Sequence, residues 1–266
     1  MTRRNRLGSI LLALLLAVLI LPPAFSATDK EQEDQAQELF SQGVDALNQN
    51  NANLALERFN AALKLDPEFP EAYINRGIAL TRLGQSVEAV EDFDKALKLA
   101  PKSPEAYYNR ALAYSLSGVY DKAVEDYTHA LKLSPKDWQI YYNRGNAYLD
   151  QGKSAEALKD YDHALKLNPK APEAYLNRGL AYLDLKKYDQ ALADADKVLQ
   201  LNPNFARAQF VRAQALEKLN QKYEAMAAYR VFLNTGNPEK DRDLLQKALQ
   251  HLKQLEGTDS SQPAKG

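Results

Sequence analysis

Along most of this chain apolar residues return every three or four positions, stop at a short polar break, and start again. Tyr141, Gly145 and Tyr148 follow i, i+4, i+7, and beyond the break at Gln151 and Gly152 a second stripe runs through Ala157, Tyr161, Ala164 and Leu165. That spacing places the apolar side chains on one face of a helix, so it predicts two helices of about 13 residues joined by a tight turn. The pair then recurs. Prolines 67, 101, 135, 169 and 203 stand 34 residues apart, each in a near-copy of one phrase: LKLDP, LKLAP, LKLSP, LKLNP, LQLNP. A second phrase keeps the same period, as YINRG at 73–77, YYNRA at 107–111, YYNRG at 141–145 and YLNRG at 175–179. A fixed period in this range decides the architecture before any local assignment: stacked helical hairpins forming an all-α solenoid.

The residue types within one period explain how two helices fit. Gly145 on the first helix and Ala157 and Ala164 on the second let the backbones approach, and Tyr141, Tyr148 and Tyr161 fill the space around them. The recurring proline cannot continue a helical hydrogen-bond ladder and stops the second helix. In three copies a further proline, Pro70, Pro104 or Pro172, opens the next helix, where its missing N–H has no consequence.

These residues resemble the tetratricopeptide repeat, a 34-residue helix-turn-helix unit with an aromatic or Leu at position 4, Gly or Ala at 8, Tyr or Leu at 11, Ala at 20, an aromatic at 24, Ala at 27 and Pro at 32. Six units occupy 36–69, 70–103, 104–137, 138–171, 172–205 and 206–239. The third, for example, carries Tyr107, Ala111, Tyr114, Ala123, Tyr127, Ala130 and Pro135. The outer units depart from the pattern. The first has Ala46 at position 11, the fifth has Ala195 for the aromatic and Val198 for the second small residue, and the degenerate sixth has Gln209, Phe232 and a late Pro238. The resemblance implies a right-handed α-solenoid with a concave, partner-binding side. A polar cover is expected at its end, and residues 240–256 provide one as a capping helix, with Leu244, Leu245, Ala248, Leu249, Leu252 and Leu255 on one face. Residues 27–35 read as a polar linker and 257–266 as a disordered tail.

Two recurring features then carry the functional expectations. Position 7 is Arg76, Arg110, Arg144 and Arg178, and sixteen residues later stand Asp92, Asp126, Asp160 and Asp194. In an antiparallel hairpin these meet, within or between units, so the expected role is structural ion pairing rather than an anion-binding ladder. The asparagines at position 6 (Asn75, Asn109, Asn143, Asn177) are expected to bond backbone between units. Positions 5 and 9, with 12, form the stripe that faces the concave side in the family. Here the partner groove would comprise Phe40, Val44, Ile74, Ile78, Tyr108, Leu112, Tyr142, Asn146, Leu176, Leu180 and Phe210. The competing reading buries this stripe between neighbouring units. The partner would be a protein, presenting an extended segment or an amphipathic helix. The lysines with which some members of the family clamp acidic C-terminal tails are absent, replaced by Glu71, Ile74, Glu105 and Tyr108.

Composition narrows the remaining chemistry. The 34 Lys and Arg balance 35 Asp and Glu, with no basic block to track phosphates, so nucleic acid is not the expected partner. With no cysteine, thiolate metal sites, disulfides and cysteine nucleophiles are excluded. His129 and His163 fall on the outer face of successive second helices without further ligands at metal-binding spacing. No phosphate-cradling loop, nucleophile elbow or HExxH motif is present, so neither an enzyme nor a cofactor is expected. Trp138 reads as packing on Leu133 and Pro135. At the other end, Arg3, Arg4 and Arg6 precede the apolar run Leu7 to Leu21 and then Ala24 and Ser26. That order is a secretory signal over 1–26, cleaved before Ala27. The alternative leaves it as a membrane anchor, although the run is shorter than the span of about 20 residues a helix needs. Either way the expected location is the periplasm or a similar compartment outside the cytoplasm. The oligomeric state and the partner's identity are not legible.

Overall fold

The structure, a computed structural model, describes residues 27–257. The leader over 1–26 therefore lies outside the described residues, as does the tail apart from Gly257. The chain forms hairpin after hairpin: α1 (Ala27–Asn48) with α2 (Ala52–Leu65), α3 (Pro70–Arg82) with α4 (Ser86–Leu99), α5 (Pro104–Leu116) with α6 (Tyr120–Leu133), α7 (Trp138–Asp150) with α8 (Ser154–Leu167), α9 (Pro172–Asp184) with α10 (Tyr188–Leu201), and α11 (Ala206–Lys218) with α12 (Lys222–Thr235). A last helix, α13 (Arg242–Gly257), covers the end. Each helix packs on the one before and the one after, and successive first helices (α1, α3, α5, α7, α9, α11) also touch one another. Those first helices are therefore the closely spaced inner layer of an α-solenoid, and the second helices form its outer layer.

Local chemistry sets the boundaries. Pro70, Pro104 and Pro172 open α3, α5 and α9 at the first helical turn, and Ser103 and Asp137 cap α5 and α7 by accepting the Ala106 and Gln139 amides. Each first helix closes at a residue with left-handed backbone at position 15: Asn50, Gly84, Gly118, Gly152, Lys186 and Asn220, at φ between 58° and 77°. In the sixth unit α12 ends at Thr235, three residues before Pro238, and in the first five units the second helix stops two residues before its proline. The residue between is extended, as Asp66 is at φ −127° and ψ 95°, because proline disfavours helical backbone in the residue before it.

Residues 27–35 are not a linker. They continue α1 outward, which makes it 22 residues long against 13 for the other first helices. The stretch lacks Gly and Pro, and its Ala, Lys, Glu and Gln residues suit helix. It has no apolar stripe, and Ala36 is the first buried residue, so hydrophobic periodicity alone could not mark it as helix.

The core is a row of alanines and aromatics. Ala55, Ala89, Ala123, Ala157, Ala191 and Ala225 at position 20 are wholly buried, as are Phe59, Phe93, Tyr161 and Tyr229 at position 24. The aromatic ring closes on position 8, where a Cβ added to Gly77 would come within 2.6 Å of Phe93 and one added to Gly145 within 2.8 Å of Tyr161. The fifth unit solves the same problem differently. With Ala195 in place of the aromatic, Val211 of the next unit moves in and lies 3.4 Å from a Cβ built on Gly179. In the sixth unit Phe232 meets Phe210 at 5.2 Å and abuts Gly236, and α13 seals the end with Ala248 and Leu252.

Glycine-to-alanine substitutions at equivalent positions should therefore have opposite signs. Gly77→Ala forces Phe93 out of a filled site; overpacking of about 1–3 kcal/mol outweighs the helix-propensity gain of about 1 kcal/mol, so stability falls. Gly179→Ala makes only ordinary contacts and should raise stability by up to about 1 kcal/mol. Urea unfolding of the two variants checks this, and equal signs would contradict the packing described.

Candidate interaction groove

The position-7 arginines lie in the seam between the two helices of each unit. Nε and Nη2 of Arg76, Arg110, Arg144 and Arg178 donate to both carboxylate oxygens of Asp92, Asp126, Asp160 and Asp194 at 2.6–2.8 Å, a two-pronged geometry that fits the planar guanidinium. Each arginine also spans to the preceding unit through Nη1: Arg76 to Asn60 (2.8 Å), Arg110 to Asp94, Arg144 to Thr128 (2.9 Å) and Arg178 to Asp162 (2.7 Å). Pairing is thus within and between units at once. The second acceptor, at position 25, was overlooked in the sequence, although Asn60, Asp94, Thr128, Asp162 and Asp196 recur there with the same period. In the sixth unit the position-23 aspartate is replaced by Ala228, and Arg212 reaches only Asp196, at 2.7 Å.

Aromatic rings enclose this spine. The arginine carbons lie 5.3–5.9 Å over the rings of Tyr73, Tyr107, Tyr141 and Tyr175. His129 and His163 stack on Tyr107 and Tyr141, each at 5.1 Å, which gives them a packing role. No group of three or more potential metal ligands occurs among the described residues. Burial pushes the Asp194 carboxyl above the ordinary aspartate range despite Arg178, and the neighbouring Asp162 carboxylate adds to the rise.

The concave stripe divides. Ile74, Leu176 and Phe210 are only 4%, 7% and 4% exposed and offer a partner almost no surface. They are packing residues: Ile74 and Leu176 lie where two first helices and a second helix converge, and Phe210 lies among α11, α12 and α13. Phe40, Tyr108 and Tyr142 are half-buried and tilt onto Phe59, Tyr127 and Tyr161 at 5.8, 6.0 and 6.2 Å. Val44, Ile78, Leu112 and Leu180 line the same clusters with one side partly open. Trp138 belongs here too: it tilts onto Tyr142 at 6.1 Å and packs against Leu165, Ala171 and Ala174, partners that the reading against Leu133 and Pro135 missed.

The position-6 asparagines act according to what precedes them. Asn143 donates to the Tyr108 hydroxyl (2.8 Å) and Asn177 to that of Tyr142 (3.2 Å) and to Asn146 Oδ1 (2.8 Å), which also accepts from the Tyr161 hydroxyl (2.8 Å). Asn75 and Asn109 follow units with Phe40 and Ile74, which have no hydroxyl, and they bond the Glu71 and Glu105 carbonyls of their own helices at 2.9 Å. These contacts replace the inter-unit backbone bonds expected from sequence. A polar track therefore crosses the inner surface at the third to fifth units.

Cavities are present at the C-terminal end of the solenoid. One cavity, of about 440 Å³, is lined by Tyr142, Leu176, Asn177, Phe205 and Arg207 and closed by the turn into α13. That turn is held by the buried Asp241, which accepts from Arg207 Nε (2.6 Å) and the Asn237 amide (3.0 Å). Burial alone would push the Asp241 carboxyl upward, but Arg207 and Asn237 outweigh it and hold it below the usual aspartate range. Further along α13, His251 stacks on Tyr229 at 5.6 Å and lies 3.2 Å from Glu217 Oε1, while the Tyr229 hydroxyl donates to Glu217 Oε2. No helix among the described residues is long and apolar enough to cross a membrane.

Comparison with known families and structures agrees with this geometry. A model described as tetratricopeptide repeat matches residues 40–104, 142–204 and 176–241, a second so described matches 93–125, and one described as TPR repeat matches 116–152. Among solved structures, PilF of Pseudomonas aeruginosa is similar at 17% identity, covering 86% of this chain and 99% of its own, with a TM-score of 0.68. YrrB, titled a TPR protein with an unusual peptide-binding site, is similar at 22% identity over 74% of this chain and 100% of its own, TM-score 0.62. MamA of Desulfovibrio magneticus RS-1 is similar at 23% identity over 68% of this chain and 99% of its own, TM-score 0.59. No curated protein matches the chain.

Two measurements probe the polar contacts. Asp160→Leu leaves the Arg144 guanidinium, 17% exposed, without its main partner and should cost about 3 kcal/mol, whereas Asp160→Leu combined with Arg144→Met should cost much less than the two single changes together. Additive losses in that double-mutant cycle would show that the pair is not coupled. At the cap, a folded carboxyl held below the ordinary aspartate value of 3.8 means stability present above that pH and lost as pH falls through the folded value. Thermal melts of the parent and of Asp241→Asn should therefore differ at neutral pH and converge on acidification.

Proposed function

The chain belongs to the tetratricopeptide repeat family, and on that premise we propose that it is a non-catalytic scaffold or adaptor that holds a segment of a partner protein along its concave face. The observation that carries this reading is the inner surface of the third to fifth units. There the partly open Leu112, Tyr142, Leu149, Leu180 and Leu183 alternate with the asparagine and tyrosine track, so apolar side chains and backbone amides of one ligand strand or helix both find counterparts. The rings and asparagines are already fixed by contacts between units, so docking orders little of the groove itself.

The leader sequence supports the second half of the proposal: Arg3, Arg4 and Arg6, the apolar run to Leu21 and the small residues before Ala27 have the order of an export signal, and an exported scaffold would work in the periplasm or a comparable compartment, where it would assemble or recruit cell-envelope proteins. Retention of that segment would make it a membrane-tethered version of the same scaffold.

Photocrosslinking in the native host, with the reactive group at Tyr142 or Leu183 and a control at the exposed Lys159 on α8, tests the groove. Discrete adducts from the two groove positions and none from Lys159 are expected, and mass spectrometry of the adduct identifies the partner. Adducts from Lys159 alone would move the binding face to the outer helices. Mass spectrometry of the mature terminus separates the two forms: a chain beginning near Ala27 is soluble after export, and one retaining Met1 is tethered.

A further inference from the structure

The inner surface ends in a second cavity, of about 550 Å³, between α9, α11 and α13. Its floor is apolar, built from Leu180, Leu183, Phe210 and Leu244, and three lysines stand around it: Lys186 at the end of α9, Lys218 at the end of α11 and Lys247 on α13. Cations nearby are matched by carboxylates: Arg178 by Asp162 and Asp194, Arg207 by Asp241, Arg212 by Asp196. Lys186, Lys218 and Lys247 have no ion-pair partner among the described residues. The one carboxylate that lines the notch, Asp184, accepts from Ser154 on α8 at 3.0 Å. The notch therefore combines an apolar concavity with unbalanced positive charge, and α13 walls its far end.

Lys186 adds an independent sign. It holds the left-handed turn position, at φ 58°, where the five other units use Asn50, Gly84, Gly118, Gly152 and Asn220. A side chain without Asn-type local bonding is strained there relative to glycine. Glycine would make the same turn without strain, so keeping lysine points to a use for its side chain.

We propose that this notch receives an acidic amphipathic segment of the partner protein, with an apolar side chain on the Leu180, Leu183 and Leu244 floor and carboxylates beside Lys186, Lys218 and Lys247. The proposal rests on the groove reading above and specifies the chemistry of the ligand at one end of that groove. A phosphate backbone would meet the three cations but leave the apolar floor unfilled, whereas a helix or strand with leucines on one face and aspartates at its margin satisfies both. Lysines around the floor favour carboxylate-bearing segments and disfavour basic ones, so the notch also gives the ligand a direction along the solenoid.

Fluorescence anisotropy with the purified chain tests this, using a labelled amphipathic peptide with leucines on one face and aspartates on the other, and a twin with asparagine at every aspartate. The acidic peptide should bind more tightly at low salt, and the twin about tenfold more weakly. Lys218→Glu with Lys247→Glu should weaken the acidic peptide by about tenfold or more, and Lys102→Glu, on the opposite edge, should not. Lys186→Gly should melt at a higher temperature than the parent yet bind the acidic peptide more weakly, a combination that a purely structural lysine would not produce. Equal binding of the two peptides, or undiminished binding by the Lys186 and Lys218/Lys247 variants, overturns the proposal. If that happens while the Tyr142 crosslink persists, the groove reading stands and only the acidic notch fails; loss of both rejects the groove as well.

Discussion

The rest of the molecule depends on the closure of one aromatic ring over one residue with almost no side chain. Phe93 over Gly77 and Tyr161 over Gly145 leave no room for another carbon, and that contact sets how closely the two helices of a hairpin approach. Once the spacing is set, position 7 on the first helix faces position 23 on the second, and the guanidinium fork meets both oxygens of the aspartate. The third nitrogen is then left pointing to the preceding unit. A packing constraint inside one hairpin thus places the hydrogen bonds that join it to its neighbour, and the same geometry recurs because the same residues recur.

The Arg–Asp pairs are largely shielded from water, so burial opposes them even as the carboxylates favour the charge. Two-pronged geometry and a third acceptor resolve this in favour of pairing. The acceptor alternates between carboxylates (Asp94, Asp162) and neutral groups (Asn60, Thr128). At Asp194 burial outweighs the pull of Arg178, and Asp162, which shares that guanidinium, adds to the upward shift.

Toward the C-terminus the pattern loosens and the solenoid compensates. Ala195 leaves space that Val211 fills from the following unit, and Phe232 takes a position held by alanine in the first four units and by Val198 in the fifth, and is covered by α13. These exchanges keep the core continuous while opening cavities on the inner side.

Much of this was determined by the sequence alone. A period of 34 with apolar residues at helical spacing can be buried only by stacking, so hairpin number, turn positions and the identity of Gly77, Gly145, Phe93 and Tyr161 as core followed from the order of residues. The four Arg and Asp positions were also legible, because opposite charges recurring together in an antiparallel hairpin have few other places to go. Tertiary structure decided the rest. Periodicity reports which residues share a helix face but not how many neighbouring helices cover that face, so Ile74, Leu176 and Phe210 read like groove residues and are core. The α1 extension has no apolar period, residues 30–35 being exposed, and it was invisible for that reason. The asparagine bonds depend on whether the preceding unit offers a hydroxyl, and the lysine-rimmed notch brings together α9, α11 and α13, contacts that arise only when separate units are assembled in space.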